Sequence, residues 1–418
     1  MKEVLARWSR PGIIAVDLLT RLGWALFSPA LPPPTSDFAT YNYWAHQIAA
    51  SLGYRTAFRV PGYPFFLAGL YMVFGDHLIV PKVANALLGT LTCYLTYAVA
   101  RLIFDEKVAV VAVGIVGLLP SHILYTAILA TEPLFTCLLM GSSALYLFAL
   151  RGGKIRWLLL MCSGLLLGFS VLVRPISILL PAAWGLSLLW QRVPVRKTMF
   201  TTTVVAGAMI AVVIPWIVRN YRLTGRPELA TEGGITLLLS FNERANGHYI
   251  REVRIEFREE IQRMGLDESE GSVLAYQRAL EFIRTHPLRA LALIPAKWFH
   301  LFRDDCSGVT WNFQRTSRPL PRALWYVLVA LSQGYYMALM GMVVVGIVYL
   351  RKPYVDHRRY VFLLGFIVYW LALHAIFFGD DRFHFPLLPI LGVLSAFGLL
   401  RVVTWWHAVI SFPCGETS

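Results

Sequence analysis

The sequence predicts an all-α polytopic membrane protein, a bundle of about ten transmembrane helices with further helices lying at its outer face. Three observations carry this. Hydrophobic residues make up 57% of 418 positions and charged residues 15%, against about a quarter charged in soluble domains. The apolar residues gather in stretches of about 20, the length that crosses a bilayer. The lysines and arginines behind the net charge of +14 fall in short clusters between those stretches. That pattern orients helices in a membrane and does not require nucleic acid as a partner.

The expected spans are residues 11–30, 78–100, 108–127, 131–150, 157–173, 175–190, 199–218, 323–350, 360–378 and 385–404. Residues 61–75 and 288–302 are apolar but short and interrupted by proline or charge, which predicts helices at the interface. In the first span Asp17 and Arg21 stand four apart on one helix face, a pair turned toward the bundle. The basic start and the Ser28-Pro29-Ala30 exit of that span have the look of a cleavable signal, yet its length and its two charges predict an uncleaved anchor.

Orientation follows from the basic residues of the short connections. With the N-terminus cytoplasmic, the inner segments hold Lys2, Arg7, Arg10, Arg101, Lys107, Arg151, Lys154, Arg156, Arg192, Arg196, Lys197, Arg351, Lys352, Arg358, Arg359 and Arg401. The short outer segments hold only Arg55, Arg59, Arg174 and Arg382. This bias predicts that both termini are cytoplasmic. Asp37, Arg59, Glu132, Arg174, Arg219 and the run Gly379-Asp380-Asp381-Arg382 then all reach the outer face.

The expected organisation is an N-terminal transmembrane module over 1–218, whose first outer loop spans 31–77, an outer polar region over 219–322, and a C-terminal transmembrane module over 323–418. Within the polar region a charged helical stretch near 250–284 carries Phe257, Ile261, Met264, Leu274, Phe282 and Ile283 as a packing face. It follows Asn242, Asn246 and the glycine-containing turn Thr231-Glu232-Gly233-Gly234. Such a region serves as a structural cap or as a lid that binds an acceptor. Cys93, Cys137 and Cys162 lie inside apolar spans, Cys306 in the polar region and Cys414 at the C-terminus, so neither a disulfide framework nor a cysteine metal site is expected.

Six segments stand out along the outer face: Ser36-Asp37-Phe38-Ala39-Thr40-Tyr41, Arg59-Val60-Pro61-Gly62-Tyr63-Pro64, Thr131-Glu132-Pro133-Leu134-Phe135, Leu172-Val173-Arg174-Pro175, Pro215-Trp216-Ile217-Val218-Arg219-Asn220-Tyr221 and Asp381-Arg382-Phe383-His384-Phe385-Pro386. In that order they resemble the landmarks of GT-C glycosyltransferases of the protein mannosyltransferase and aminoarabinose transferase type. The resemblance implies a GT-C-like bundle. It implies an enzyme that moves a sugar from a polyprenyl phosphate in the membrane to an acceptor at the outer, periplasmic face. It also implies that Asp37, in the first outer loop, is the general base. The large soluble C-terminal domain of some relatives is not part of this sequence, so acceptor recognition is expected from the loops or from a partner protein.

The chemistry supports these assignments on its own terms. A hydroxyl acceptor needs a carboxylate to take its proton, and one displacement would invert the anomeric carbon. The leaving phosphate gains negative charge, which guanidinium groups near headgroup depth would stabilise. Arg59, Arg382 and Arg174 are the candidates for donor phosphate binding, in that order. Arg219 lies beside Trp216 and Tyr221, as a span-end anchor would. Glu132, Tyr63, Asp381 and Arg219 are candidates for positioning donor or acceptor.

Each residue also has a plainer reading. An arginine at a span end snorkels to a lipid headgroup; Glu132 before Pro133 suits the positive end of a helix; Asp37 could cap an interfacial helix. Trp44, Tyr63, Tyr71, Trp216, Tyr221, Trp298 and Trp311 fit an aromatic belt. A divalent cation shared by Asp37 and Glu132 is chemically possible, but His122, His248, His300 and His384 are scattered and no obligatory metal is expected. The expected partners are membrane lipids, the polyprenyl-phosphate-linked sugar and a glycan, lipid or protein acceptor. A bacterial inner membrane is the expected location. A transporter or flippase of lipid-linked sugars is the alternative from another class, though no internal repeat is evident; a non-catalytic envelope scaffold is the third.

Overall fold

In the computed structural model, residues 2–34, 36–152, 155–351 and 357–410 are described. Cys414, Lys154 and Lys352 lie outside them, as do the side chains of Lys2, Arg7, Arg10, Arg358 and Arg359. The described residues are mostly helical and include two isolated β-bridges, Ala30 to Thr316 and His248 to Gly379. The helices are α1 Lys2–Phe27, α2 Asp37–Ala49, α3 Gly62–Phe74, α4 Ile79–Ile103, α5 Glu106–Gly117, α6 Pro120–Leu124, α7 Thr131–Leu150, α8 Trp157–Val173 and α9 Leu180–Trp190. They continue as α10 Val195–Thr224, α11 Glu232–Ser240, α12 Arg251–Met264, α13 Glu268–Thr285, α14 Pro287–Phe302, α15 Ser307–Gln314, α16 Arg322–Leu350, α17 His357–Ile376 and α18 Leu388–Ile410.

Every expected span coincides with a helix or a helix pair. Among the described residues α4, α7, α10, α16 and the segment containing α18 are each long and apolar enough to cross a bilayer. The expected third span is broken: α5 and the segment after Pro120 meet at 54°, because proline removes a backbone donor and clashes with the preceding turn. The shorter α8, α9 and α17, with α1, fill the remaining positions of a multi-pass bundle of about ten helices. The 13-residue α3 and the 16-residue α14, the latter with Pro295 inside it, are the helices expected at the interface.

One apolar core runs through this bundle, with Phe135, Leu139, Leu167, Trp184, Val205, Phe366 and Leu391 buried in it. The helix α8 packs between α7 and α10, and α16 packs on α18. Asp17 and Arg21 do face the interior: the Arg21 Nε donates to Asp17 Oδ1 at 2.7 Å, and both side chains are 1% exposed.

The polar region forms a lobe at one end of the bundle. Its own core gathers Leu238, Leu239, Phe241, Phe257, Ala275 and Phe282, and it is continued by Phe378, two residues beyond α17. The charged stretch is two helices, not one, because Gly265 ends α12 in the left-handed region at φ 68°, where glycine is free of the Cβ penalty. Asp267 then starts α13 with a capping box, accepting from the backbone of Glu270 while Glu270 accepts from the backbone of Asp267. The Thr231-Glu232-Gly233-Gly234 segment is the first turn of α11 rather than a free turn.

Candidate active site

The first loop begins with a cap. Ser36 is extended and its Oγ accepts from the Ala39 N–H at 3.3 Å, which starts α2 at Asp37. Asp37 thus sits at the positive end of a helix dipole, with 29% of its side chain exposed. Arg59 comes from the segment leading into α3. That segment is held against the end of α8 because Gly62 has no Cβ: a Cβ there would meet the Leu172 carbonyl oxygen at 2.6 Å. Arg174 caps the other side of that contact, as the C-cap of α8.

These side chains form one continuous network. Arg59 Nη2 donates to Asp37 Oδ1 at 2.6 Å and approaches Glu232 Oε1 at 3.1 Å. Its Nη1 donates to the Tyr41 hydroxyl at 2.8 Å. Arg382 links the two early acids, its Nη1 lying 3.4 Å from Asp37 Oδ2 and its Nε donating to Glu132 Oε1 at 3.0 Å. Arg174 Nη1 donates to the same Glu132 oxygen at 2.7 Å. Arg254 from α12 stands 3.9 Å from Glu232. Four guanidinium groups therefore meet three carboxylates, leaving one positive charge in excess.

Electrostatics fix the ionisation of these groups. Burial raises the Asp37 carboxyl, but Arg59 and Arg382 overcome that and hold it well below the usual carboxylate range. Burial likewise opposes the Arg59 charge, yet Glu232, Tyr41 and Asp37 raise it well above the ordinary value. Asp380, outside this network, is pushed up to about 7 by burial and by the neighbouring Asp381.

The remaining candidates lie nearby or elsewhere. The Tyr63 ring stands edge-on to Tyr41 at 5.3 Å, and its buried hydroxyl has no hydrogen-bond partner among the described residues. Asp381 turns away from the network: it accepts from the Cys306 and Ser307 backbone N–H groups and from the Ser307 hydroxyl, at the start of α15. Arg219 stacks on Trp216 at 4.6 Å and donates to the carbonyls of Thr56 and Tyr54. It thereby ties the end of α10 to the first loop without touching Asp37.

Glu232, Arg254 and Tyr41 join the network without having been singled out for it. Glu232 carried a local signal, since an acid just after Thr231 suits a helix start. Its meeting with Arg59, 173 positions earlier in the chain, had none. The donor set does not fit a cation. Asp37 and Glu132 are already engaged by guanidinium groups whose charge would repel a metal, and no cluster of three or more His, Cys, Asp or Glu occurs among the described residues.

Residues 59–218 match the family model described as dolichyl-phosphate-mannose-protein mannosyltransferase. That segment contains Arg59, Glu132 and Arg174; Asp37, Glu232 and Arg382 lie beyond it. No curated protein sequence matches the chain. Among solved structures, the oligosaccharyltransferase of Archaeoglobus fulgidus with a tethered acceptor peptide is similar at 14% identity and TM-score 0.57, over 96% of this chain and 50% of that one. The oligosaccharyltransferase AglB from Archaeoglobus fulgidus, in complex with an inhibitory peptide and a dolichol-phosphate, is similar at 12% identity and TM-score 0.54, over 98% of this chain and 52% of that one. ArnT from Cupriavidus metallidurans bound to undecaprenyl phosphate gives 14% identity and TM-score 0.46, over 95% and 79%. The chain spans about half the length of the solved oligosaccharyltransferases it matches. It is a multi-pass membrane protein that shares the fold of those solved oligosaccharyltransferases.

Proposed function

We propose that the chain transfers a sugar from a polyprenyl-phosphate donor to a hydroxyl acceptor, with Asp37 as general base. The acceptor oxygen bonds to the anomeric carbon as the bond from that carbon to the phosphate oxygen breaks. The hydroxyl proton passes to Asp37, and the electron pair leaves with the polyprenyl phosphate. One displacement inverts the anomeric configuration. The leaving phosphate gains one negative charge, and fixed cations are most effective where charge develops.

The observation that carries this reading is the surplus of guanidinium groups around a carboxylate at the junction of bundle and lobe. Arg382, Arg59 and Arg174 are assigned to the donor phosphate, Glu132 to holding Arg382 and Arg174 in place. Before the donor binds, Arg59 and Arg382 keep Asp37 ionised and weakly basic. A phosphate that draws these arginines toward itself frees the carboxylate and raises its basicity, so the base is armed when the donor is seated. The mannosyltransferase family match and the dolichol-phosphate in the AglB structure support a lipid-phosphate donor.

In this reading the lobe faces the periplasm of a bacterial inner membrane and both termini face the cytoplasm, as the basic connections favour. Alkaline phosphatase fused within the lobe is expected to be active in cells; an inactive fusion there, with activity at the C-terminus, reverses the topology. The activity is tested with purified protein in lipid nanodiscs, radiolabelled polyprenyl-phosphate sugars and mixed envelope acceptors. Released polyprenyl phosphate and an inverted glycoside in the product are expected. Sugar lipid that crosses a vesicle bilayer with no bond broken would instead establish a flippase.

A further inference from the structure

A second cluster of buried groups stands behind Arg382. Arg382 lies in the 3-10 turn Asp381–Phe383, an element of three residues that is too short to fix its own direction through repeated backbone bonds. The residues on either side of Arg382 are held instead by one stretch of chain, 301–307, which runs from the end of α14 to the start of α15. On one side, Asp381 accepts from the Cys306 N–H at 3.0 Å, from the Ser307 N–H at 2.7 Å and from the Ser307 hydroxyl, at the positive end of α15. On the other, His384 Nδ1 lies 2.6 Å from the Leu301 carbonyl oxygen, and His384 Nε2 lies 3.3 Å from Asp305 Oδ1.

A carbonyl oxygen only accepts, so His384 Nδ1 carries a proton. Nε2 and Asp305 Oδ1 would be two facing acceptors unless one more proton lay between them. The pair is therefore imidazolium with carboxylate or imidazole with carboxylic acid, and neutral as a whole in both cases. Its side chains are 0% and 6% exposed, so water does not compete for the bond. The His384 ring lies parallel to the rings of Tyr336, at 4.9 Å, and of Phe302, at 6.2 Å. The stretch that holds His384 is itself gripped by α16. The Ser332 hydroxyl donates to the Asp305 carbonyl at 2.6 Å, Gln333 Oε1 accepts from the Asp305 N–H at 3.2 Å, and the Tyr336 hydroxyl donates to the Phe302 carbonyl at 3.0 Å.

We propose that His384 and Asp305 are positioning residues for Arg382: the bond between them sets the turn that aims its guanidinium at Asp37 and Glu132. They act through the backbone, since His384 bonds to Leu301 and Asp305 and not to the network itself. Arg382 is the one cation that reaches both Asp37 and Glu132, and a misplacement of about 1 Å in such a group costs up to about 100-fold in rate. The effect on transfer rests on the reading proposed above; the hold on Asp37 through Arg382 does not.

Infrared titration of the full chain in nanodiscs tests this, with each variant read against its own double with Asp37→Asn, so that protonation of Asp37 is followed whether or not sugar is transferred. Asp305→Ala is expected to raise the Asp37 midpoint by about one pH unit, as Arg382 moves away, and to lower kcat/KM by about 10- to 100-fold. Asp305→Asn, whose amide N–H donates to Nε2 of a neutral imidazole, keeps the bond and is expected to bring both back to near the wild-type values. The pair is neutral in the wild type and, with His384 neutral, in both variants. The midpoint therefore reports where Arg382 stands and not a change in local charge. If Asp305→Ala does not fold, Ser307→Ala, which leaves both backbone N–H groups on Asp381, is expected to move the midpoint in the same direction by less. An unmoved midpoint in folded Asp305→Ala, or in Ser307→Ala where it stands in, would overturn the proposal, as would an Asp305→Asn impaired as much as Asp305→Ala. Turnover separates the two claims. A raised midpoint with no sugar transferred even by the wild type keeps the positioning role and removes the transferase; transfer by the wild type with an unmoved midpoint does the reverse.

Discussion

Two places in this molecule pair an aspartate with arginine, and they differ in closure and in charge balance. At the first, Arg21 Nε donates to Asp17 Oδ1, Arg21 Nη1 donates to the His122 carbonyl at 2.7 Å, and the Thr90 hydroxyl donates to Asp17 Oδ2 at 2.6 Å. One charge meets its opposite, and both side chains are sealed inside the bundle. At the second, Asp37 keeps an open edge, and the network it belongs to carries an extra guanidinium. A sealed neutral pair fixes one helix against its neighbours. In the function proposed above, an open network with unbalanced charge is where the donor's anionic phosphate binds.

Substitutions on the two sides should therefore separate activity from stability. Arg382→Gln removes the cation that touches both Asp37 and Glu132. It is expected to lower kcat/KM by about 100-fold or more while the chain still folds in nanodiscs; a loss of folding with full activity per folded molecule would put Arg382 on the structural side. Asp17→Ala is the mirror experiment. It leaves Arg21 buried and unpaired, which costs about 3–5 kcal/mol, so Tm should drop with little change in turnover per folded molecule. Reduced turnover at full stability would dissolve the distinction between the two sites.

A pH profile sharpens the difference further. The Asp37 pKa is depressed in the folded chain, so its stabilising contribution is present above the unfolded value of about 3.9 and is lost as pH falls through the folded value. The acid limb of kcat/KM, which reports the free enzyme, is then expected below about pH 4. Arg59→Gln should move that limb upward into or above the ordinary carboxylate range; a limb that stays in place would mean that Asp37 is not the titrating base. The smallest effect is expected at Glu232, whose pairing with Arg59 is partly exposed. Glu232→Gln should lower the donor KM by roughly two- to fivefold, because it releases Arg59 for the phosphate. A raised donor KM would show that Glu232 organises Arg59 instead of competing for it.

Much of this was legible in the sequence, for reasons that differ by level. Span positions follow from runs of apolar residues, which the bilayer demands regardless of tertiary contacts, and the pairing of Asp17 with Arg21 follows from helical spacing alone. The break between α12 and α13 was signalled by Gly265 and the Asp267 cap, but the continuous charge pattern across it reads as one helix. Proximity among Asp37, Arg59, Glu132, Arg174 and Arg382 was suggested only by their common membrane face. Which of them touch depends on the packing of loops far apart in sequence, so Arg219 and Asp381, at the same face, bond to other groups. Glu232 and Arg254 reach the network because the lobe core continues into Phe378 and packs with Phe58, a docking that no local pattern records.

The most direct measurement is a single-turnover assay of Asp37→Asn and the wild type, both saturated with radiolabelled polyprenyl-phosphate sugar and supplied with envelope acceptors. If Asp37 is the base, the variant binds donor at least as tightly and transfers at least about 100-fold more slowly. Transfer at the wild-type rate by a variant that binds donor normally would contradict the account.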